Sequence, residues 1–417
     1  MSERDHQTLG FYERRGDLEL GRGNVISTGD LATFPGSYPV YSSSAVGEGV
    51  FGRYGQHMFD EELITWSIDG GGRPFHRRKH RFSVTNVCGF LRVKRPDRWD
   101  YGYLHAVLEG LQSGIQFDYQ MKAHPSVIRE LYRFDCIPIE EQRRISSIRD
   151  TLDTTIRQTE AIIAKLKQVK QGLLHVLLTR GIDANGELRP PQSEAPHLYK
   201  ASPLGWIPCE WLAKPLGEIA DLQVGFAFKS EWFQDTGGVR LLRGDNVGYG
   251  KPDWSSAKFL DPDTSKRFED YALNDGDIVV GMDRTFTKSG SKFSAIGAPD
   301  LPCLLVQRVG RFVAKACTLR FLRVLTLWPD FHTELMAQQK GMDIPHLSKT
   351  EILEPCVPVP SLDEQDEISN RIAAIEARIG AELQSVEKAR LLKSGLMDDL
   401  LTGRVRVTPL LNQPATT

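Results

Sequence analysis

The chain has 417 residues, 40% hydrophobic and 25% charged, with 52 Lys and Arg against 54 Asp and Glu, a net charge of −2. That length suits about two or three domains of roughly 100–200 residues each, and the ordinary composition excludes wholesale disorder. Taken as a whole-chain average, the near-zero charge argues against a nucleic-acid binder, because phosphate neutralisation needs a basic surface.

Charge is unevenly placed along the chain. Residues 1–62 hold ten acids and five bases, a net of −5. Short β-type runs follow between Gly-rich turns: YPVYSSS (38–44), ELITWSI (62–68) and FSVTNVCGFLRV (82–93). Residues 70–99 carry nine Lys and Arg against one acid, a net of +8. The bases are interleaved with Phe75, His76, Phe82 and Asn86 and follow Gly70-Gly71-Gly72. A solvated face is the ordinary reading of a charge run. Aromatic and amide interleaving favours nucleic acid instead, since Arg clamps phosphate and reads guanine while Asn reads adenine. From charge and position, Arg73, Arg77, Arg78, Lys79 and Arg81 are the expected DNA contacts of the first globule. His76 and His80 have HxxxH spacing without a following Glu, a weak zinc signal.

A long helix is expected next. Ile145, Ile148, Leu152, Ile156, Ile163, Leu166, Val169, Leu173 and Leu177 recur at steps near three and four, with a gap at Thr159. Pro138 precedes its start and Gly181 marks its stop. The Pro-, Ser- and Gly-rich stretch 182–203 reads as a linker.

The second globule repeats the plan. Its β-type runs include VRLLRGDNV (239–247), GDIVVGM (276–282) and RFVAKACTLRFL (311–322). Residues 284–323 carry eight Lys and Arg against one acid, a net of +7. Arg243, Asn246, Arg284, Lys288, Lys292 and Arg308 are its expected DNA contacts. Asp69 and Asp283 end similar strands, and structural capping or base readout suits them better than catalysis. The first globule, however, shows no equivalent of the lead-in WIPCEW–LGEIADLQ (206–223), so its first strand or lead loop is expected to be shortened.

A second long stripe closes the chain: Ile368, Ile372, Ile375, Ile379, Leu383, Val386, Ala389, Leu392, Leu396 and Leu400. Pro360 precedes it and Gly403 follows. At an offset of 223, residues 140–179 match 363–402 at 12 of 40 ungapped positions. About 39 helical residues make a rod of roughly 58 Å. Helix pairing is expected through Ile145, Leu152, Ile156, Ile163, Leu166 and Leu173 with Ile368, Ile375, Ile379, Val386 and Leu396. The final residues, TPLLNQPATT, are expected to be disordered.

Several chemistries lack their signatures. No Lys has Asp or Glu two positions before it, which disfavours the common metal-dependent nuclease. There is no GxxxxGK[ST], no GxSxG and no [DNS]PP[YFW], so neither an ATP site nor an amino-methyltransferase is expected. No stretch approaches 18 apolar residues, and the polar N-terminus has no secretory h-region. Cys88, Cys136, Cys209, Cys303, Cys317 and Cys356 are scattered without a CxxC, as suits reduced thiols in a cytoplasmic protein.

The repeated motif resembles the specificity subunit of type I restriction–modification enzymes. Its first copy uses Pro138, Glu141, Gln142, Ile145, Lys170, Gly172 and Leu173; its second uses Pro360, Glu364, Gln365, Ile368, Lys393, Gly395 and Leu396. The phrases PGSYPVYSS (35–43), GIDANGELRP with LGWIPCEW (204–211), and LLRGDNV with GDIVV carry it further. The resemblance implies an α+β protein: two mixed α/β target-recognition domains and two long helices in an antiparallel coiled coil. The expected division is recognition domain 1–135, helical region 136–181, linker 182–203, recognition domain 204–355, helical region 356–406 and tail 407–417. It further implies a non-catalytic chain that binds double-stranded DNA, two methyltransferase subunits and restriction-translocase subunits. S-adenosylmethionine, ATP and Mg would act in those partners, and no cofactor or metal in this chain. The competing readings are a coiled-coil scaffold, an orphan DNA-binding protein of another defence system, and a stand-alone nuclease or methyltransferase.

Overall fold

A computed structural model describes residues 6–43, 47–117, 121–287, 290–338 and 346–407. The tail beyond Val407 and Lys288 lie outside the described residues. The fold is α+β, and the chain divides into two compact units, residues 1–161 with 383–417 and residues 162–382.

The first unit is built on a six-stranded sheet. Its order is Leu18–Arg22, Cys88–Val93, Phe59–Ser67, Pro74–Val84, Tyr38–Tyr41 and Val50–Tyr54. All pairs are antiparallel except Tyr38–Tyr41 with Pro74–Val84. One face packs Ile64, Trp66 and Leu91 against Trp99, Tyr103 and Leu104 around the helix Tyr101–Ser113. Ile145 of the first long helix and Leu400 of the second enter the same core. Each such buried side chain contributes about 1.5–3 kcal/mol. The expected strand 82–93 is broken by a turn at residues 85–87 into two strands, each pairing antiparallel with Phe59–Ser67 on opposite sides of it.

The second unit repeats the first four strands of that order as Ala220–Val224, Val309–Ala314, Ile278–Gly281 and Phe293–Ala295, all antiparallel. A separate three-stranded sheet holds Lys258–Leu260, Val239–Leu242 and Cys303–Leu305. Residues expected to continue a strand through 322 instead form the helix Leu319–Thr326, because the Thr318 hydroxyl caps it by accepting from the Phe321 amide. Leu174, Leu177 and Leu178 of the first long helix and Ile368 and Ile372 of the second join Trp211, Phe312 and Phe321 in this core.

The expected shortening of the lead-in is seen: the first strand, Gln7–Thr8, has two residues where Leu212–Pro215 has four, and among the described residues the first unit has no hairpin like Tyr199–Ser202/Gly205–Pro208. Gln7–Thr8, the helix Leu9–Arg14 and Leu18–Arg22 match Leu212–Pro215, the helix Leu216–Ile219 and Ala220–Val224. In each unit the first of these strands pairs with the strand before the long helix, Arg133–Phe134 or Cys356–Val359. The correspondence is spatial, through pairing, and few residues match.

The long helices are Ile139–Thr179 and Leu362–Leu401, and each contributes to both units. In the first unit Asp153 meets Lys393 at 2.6 Å and Glu160 meets Arg390 at 2.5 Å, so the segments run antiparallel. In the second, Lys170 meets Glu376 at 2.6 Å and the Ile182 amide donates to Glu364 at 2.7 Å, again antiparallel. Ile145, Ile163, Ile368 and Val386 are buried; Leu152, Ile156, Leu166, Leu173, Ile375, Ile379 and Leu396 are half-buried. Val169, Leu383 and Leu392, expected in the stripe, are exposed, because a two-helix seam covers only a narrow face.

The repeated Glu-Gln pair has a structural use. Gln142 accepts from the Asp100 amide and donates to the Arg98 and Ile137 carbonyls. Gln365 accepts from the Thr318 amide and donates to the Pro360 carbonyl. Asp100 and Thr318 cap the helices Tyr101–Ser113 and Leu319–Thr326, so each Gln ties a long helix to its globule. Glu141 takes a bidentate pair from Arg406 at 2.7 and 2.6 Å. Glu364 takes Arg189 at 2.5 Å and the Trp211 indole at 2.8 Å. The linker is therefore anchored, with Arg189 and Tyr199 buried. Gly181 (φ 65°) turns the chain there; a Cβ would come within 2.2 Å of the Glu364 carboxylate.

Candidate nucleic-acid interface

In the first unit the basic block falls mainly on the strand Pro74–Val84 and the turn before it. Opposite Glu62 the register shifts, so one residue faces the two residues Arg78 and Lys79. This bulge breaks strict alternation and leaves both cations exposed. His76 pairs with Ile64 and His80 with Glu61, so the two rings lie on opposite faces. His76 meets Glu62 at 2.6 Å, and His80 meets the Tyr41 hydroxyl at 3.0 Å. Among the described residues no group of His, Cys, Asp or Glu is placed to hold a metal ion.

The five cations of this block separate by environment. Arg73 and Lys79 are exposed, and among the described residues neither meets a carboxylate. Arg78 is exposed but reaches Asp150 of the first long helix at 2.5 Å and Glu62 at 3.6 Å. Arg81 reaches Asp60 at 3.3 Å and the Tyr38 hydroxyl at 3.2 Å; these bonds raise its pKa. Such exposed pairs are weak in water and can be exchanged for phosphate.

Arg77 does not fit the expected role. It is 6% exposed, lies 3.6 Å over the Tyr41 ring, and donates to the Thr65 hydroxyl at 3.0 Å and the Glu48 carbonyl at 2.5 Å. Burial lowers its pKa, and the guanidinium is used inside the fold.

The second unit requires similar sorting. Asn246 is fully buried; it donates to the Asp253 carbonyl at 3.0 Å and organises its own loop rather than facing a ligand. Arg243 is half-buried and donates to the Ser256 carbonyl at 2.9 Å. Lys292 is half-buried on the Gly244 carbonyl at 3.0 Å. Arg284 and Arg308 are exposed, and both hold positive φ, 49° and 70°. Left-handed backbone at a non-glycine residue is strained and tends to gather at functional sites.

One arrangement escaped the sequence reading. The Met282 amide donates to the Arg308 carbonyl, as the Ile68 amide does to Val87. The Leu347 amide donates to the Met282 carbonyl, as the Ala123 amide does to Ile68. The same frame therefore recurs in both units. It brings Asp69 to Lys122 at 2.9 Å and Asp283 to His346 at 2.7 Å. These positions do not share one repeat offset, being 214 from Asp69 to Asp283, 221 from Val87 to Arg308 and 224 from Lys122 to His346 against 223 in the helices, so an ungapped repeat does not reveal them.

Comparison with known proteins gives one answer. Residues 208–388 match the family model described as the type I restriction modification DNA specificity domain. The chain is 28% identical over 388 residues to the type I restriction enzyme MjaVIII specificity subunit of Methanocaldococcus jannaschii, covering 90% of this chain and 88% of that one. It is 35% identical over 185 residues to the EcoAI specificity subunit of Escherichia coli, covering 44% of this chain and 30% of that one. The type I system S subunit of M. genitalium shares the fold, with TM-score 0.58 at 14% identity over 96% of this chain and 98% of that chain. A chain from a study of complex assembly in the type I system matches at TM-score 0.50 and 13% identity, over 92% and 97%.

Proposed function

We propose that this chain is a type I restriction–modification DNA specificity subunit that reads a bipartite asymmetric DNA site, one half with each unit. The observation that carries this reading is one strand frame used twice with different exposed cations. The first unit presents Arg73 and Lys79 and the exchangeable Arg78 and Arg81; the second presents Arg284 and Arg308. The exposed cations would hold phosphate and the strained arginines would approach base edges.

The long helices would set the spacing between half-sites. A helix of 41 residues is roughly 61 Å long at about 1.5 Å per residue. They would also dock two methyltransferase subunits. In support, Leu391 and Leu392 lie exposed in the first unit and Ile162 and Val169 in the second, with Leu392 and Val169 at the same repeat position. The chain would confer sequence choice and catalyse nothing itself. Adenine methylation with S-adenosylmethionine, and ATP- and Mg-dependent translocation and cleavage, would belong to methyltransferase and restriction subunits in the cytoplasm. Among the described residues no helix is long and apolar enough to cross a membrane.

The test is a salt titration of duplex binding by the full chain with its methyltransferase subunit. The double variant Arg73→Ala with Lys79→Ala should weaken binding to all sequences and lower the log–log salt slope by about 2. Unchanged affinity and slope would remove the first unit's assignment.

A further inference from the structure

The frame shared by the two units has three corners. In the first unit they are Asp69, Val87 and Lys122; in the second they are Asp283, Arg308 and His346. The backbone hydrogen bonds are the same and the side chains are not. Two readers of different half-sites need this: a common scaffold with exchangeable tips.

The second unit's corner is chemically specific. His346 Nδ1 lies 2.7 Å from Asp283 Oδ1, and Arg308 Nη1 lies 3.2 Å from His346 Nε2. A carboxylate only accepts, so Asp283 selects the tautomer in which Nδ1–H donates to it. Arg308 Nη1 also lies 3.5 Å from Nδ1, so the guanidinium lies across the face of the ring that Asp283 holds. The direct Arg308–Asp283 contact is longer, 3.9 Å from Nε to Oδ2. Arg308 is 57% exposed and sits in left-handed backbone, so its side chain is aimed by few other constraints. Among the described residues, Asp283 and Arg308 are the charged groups that meet the ring. At the equivalent place Lys122 has no acceptor to offer, and Val87 has no cation to place.

We propose that Asp283, His346 and Arg308 form a relay in which His346 is a positioning residue, holding the Arg308 guanidinium at the angle at which it contacts DNA. The proposal rests on the second unit being a DNA reader.

The experiment uses the full chain with its methyltransferase subunit. A duplex is first selected from a randomised pool by the unaltered protein. Its affinity is then measured for the unaltered chain, Arg308→Ala, His346→Ala and the double variant, with thermal unfolding as the folding control, and the pool selection is repeated with each variant. Arg308→Ala should weaken binding about 10-fold, His346→Ala by a similar factor, and the double variant no further, and both single variants should relax the same base positions. If Arg308→Ala leaves affinity unchanged, the DNA-contact reading of Arg308 fails and the relay with it. If Arg308→Ala weakens binding but His346→Ala neither weakens it nor relaxes the same positions, the relay alone is overturned.

Discussion

Replacing Arg77 with Ala removes a guanidinium from above Tyr41 and leaves the Thr65 hydroxyl and Glu48 carbonyl without its N–H donors. The expected cost is about 2–4 kcal/mol of stability, from the cavity and the lost hydrogen bonds together. Arg73→Ala and Lys79→Ala should change stability by less than about 0.5 kcal/mol. Denaturant unfolding of the three variants checks this ordering. His105 sets a pH dependence. Burial, and then the charge of Arg149, hold its pKa down at about 3 against an ordinary 6.5. Between those values the unfolded chain binds a proton that the folded chain does not, so stability is full above pH 6.5 and falls as the pH drops towards 3. His105→Gln should flatten that slope in unfolding measured at pH 7 and pH 5. At this scale the sequence was least legible. The basic block was visible in composition, but which of its arginines is buried depends on a bulge and on Tyr41, 36 positions away. His346 is 63 positions from the Asp283 it meets, with no local pattern to join them.

At the scale of elements, the Glu-Gln pair is the best-specified feature. Gln142 makes three hydrogen bonds where the first long helix meets its globule, and Gln365 makes two at the equivalent junction. Gln142→Ala strands the Asp100 amide and two carbonyls, and should cost about 2–4 kcal/mol; Gln365→Ala should cost slightly less. Thermal unfolding of the full chain measures both. The long helices were legible because their periodicity and their proline and glycine boundaries are local signals. Short elements were not. The strand Gln7–Thr8 is two residues long and exists through its pairing with Arg133–Phe134, which no local propensity encodes. The stretch 311–322 switches from strand to helix at Thr318, where the hydroxyl cap and the bond to Gln365 outweigh the β-type residues that follow.

For the whole molecule, the opening charge of −2 is a sum over a duplicated plan, with blocks of +8 and +7 offset by acids elsewhere. Duplication was legible because residues 140–179 and 363–402 repeat without gaps. If the helices space the half-sites, matched seven-residue insertions after Thr159 and at the facing position of the second helix should add about 10.5 Å, or roughly 3 base pairs at 3.4 Å each. An unchanged spacer would contradict that role. The central claim, two units reading two halves of one site, is tested most directly by mapping modified adenines across the genome of cells expressing the chain with its methyltransferase subunit. The account predicts two short specified blocks separated by a fixed run of unread base pairs, with Arg308→Ala relaxing one block and leaving the other intact. A single uninterrupted block, or one that Arg308→Ala relaxes throughout, would contradict it.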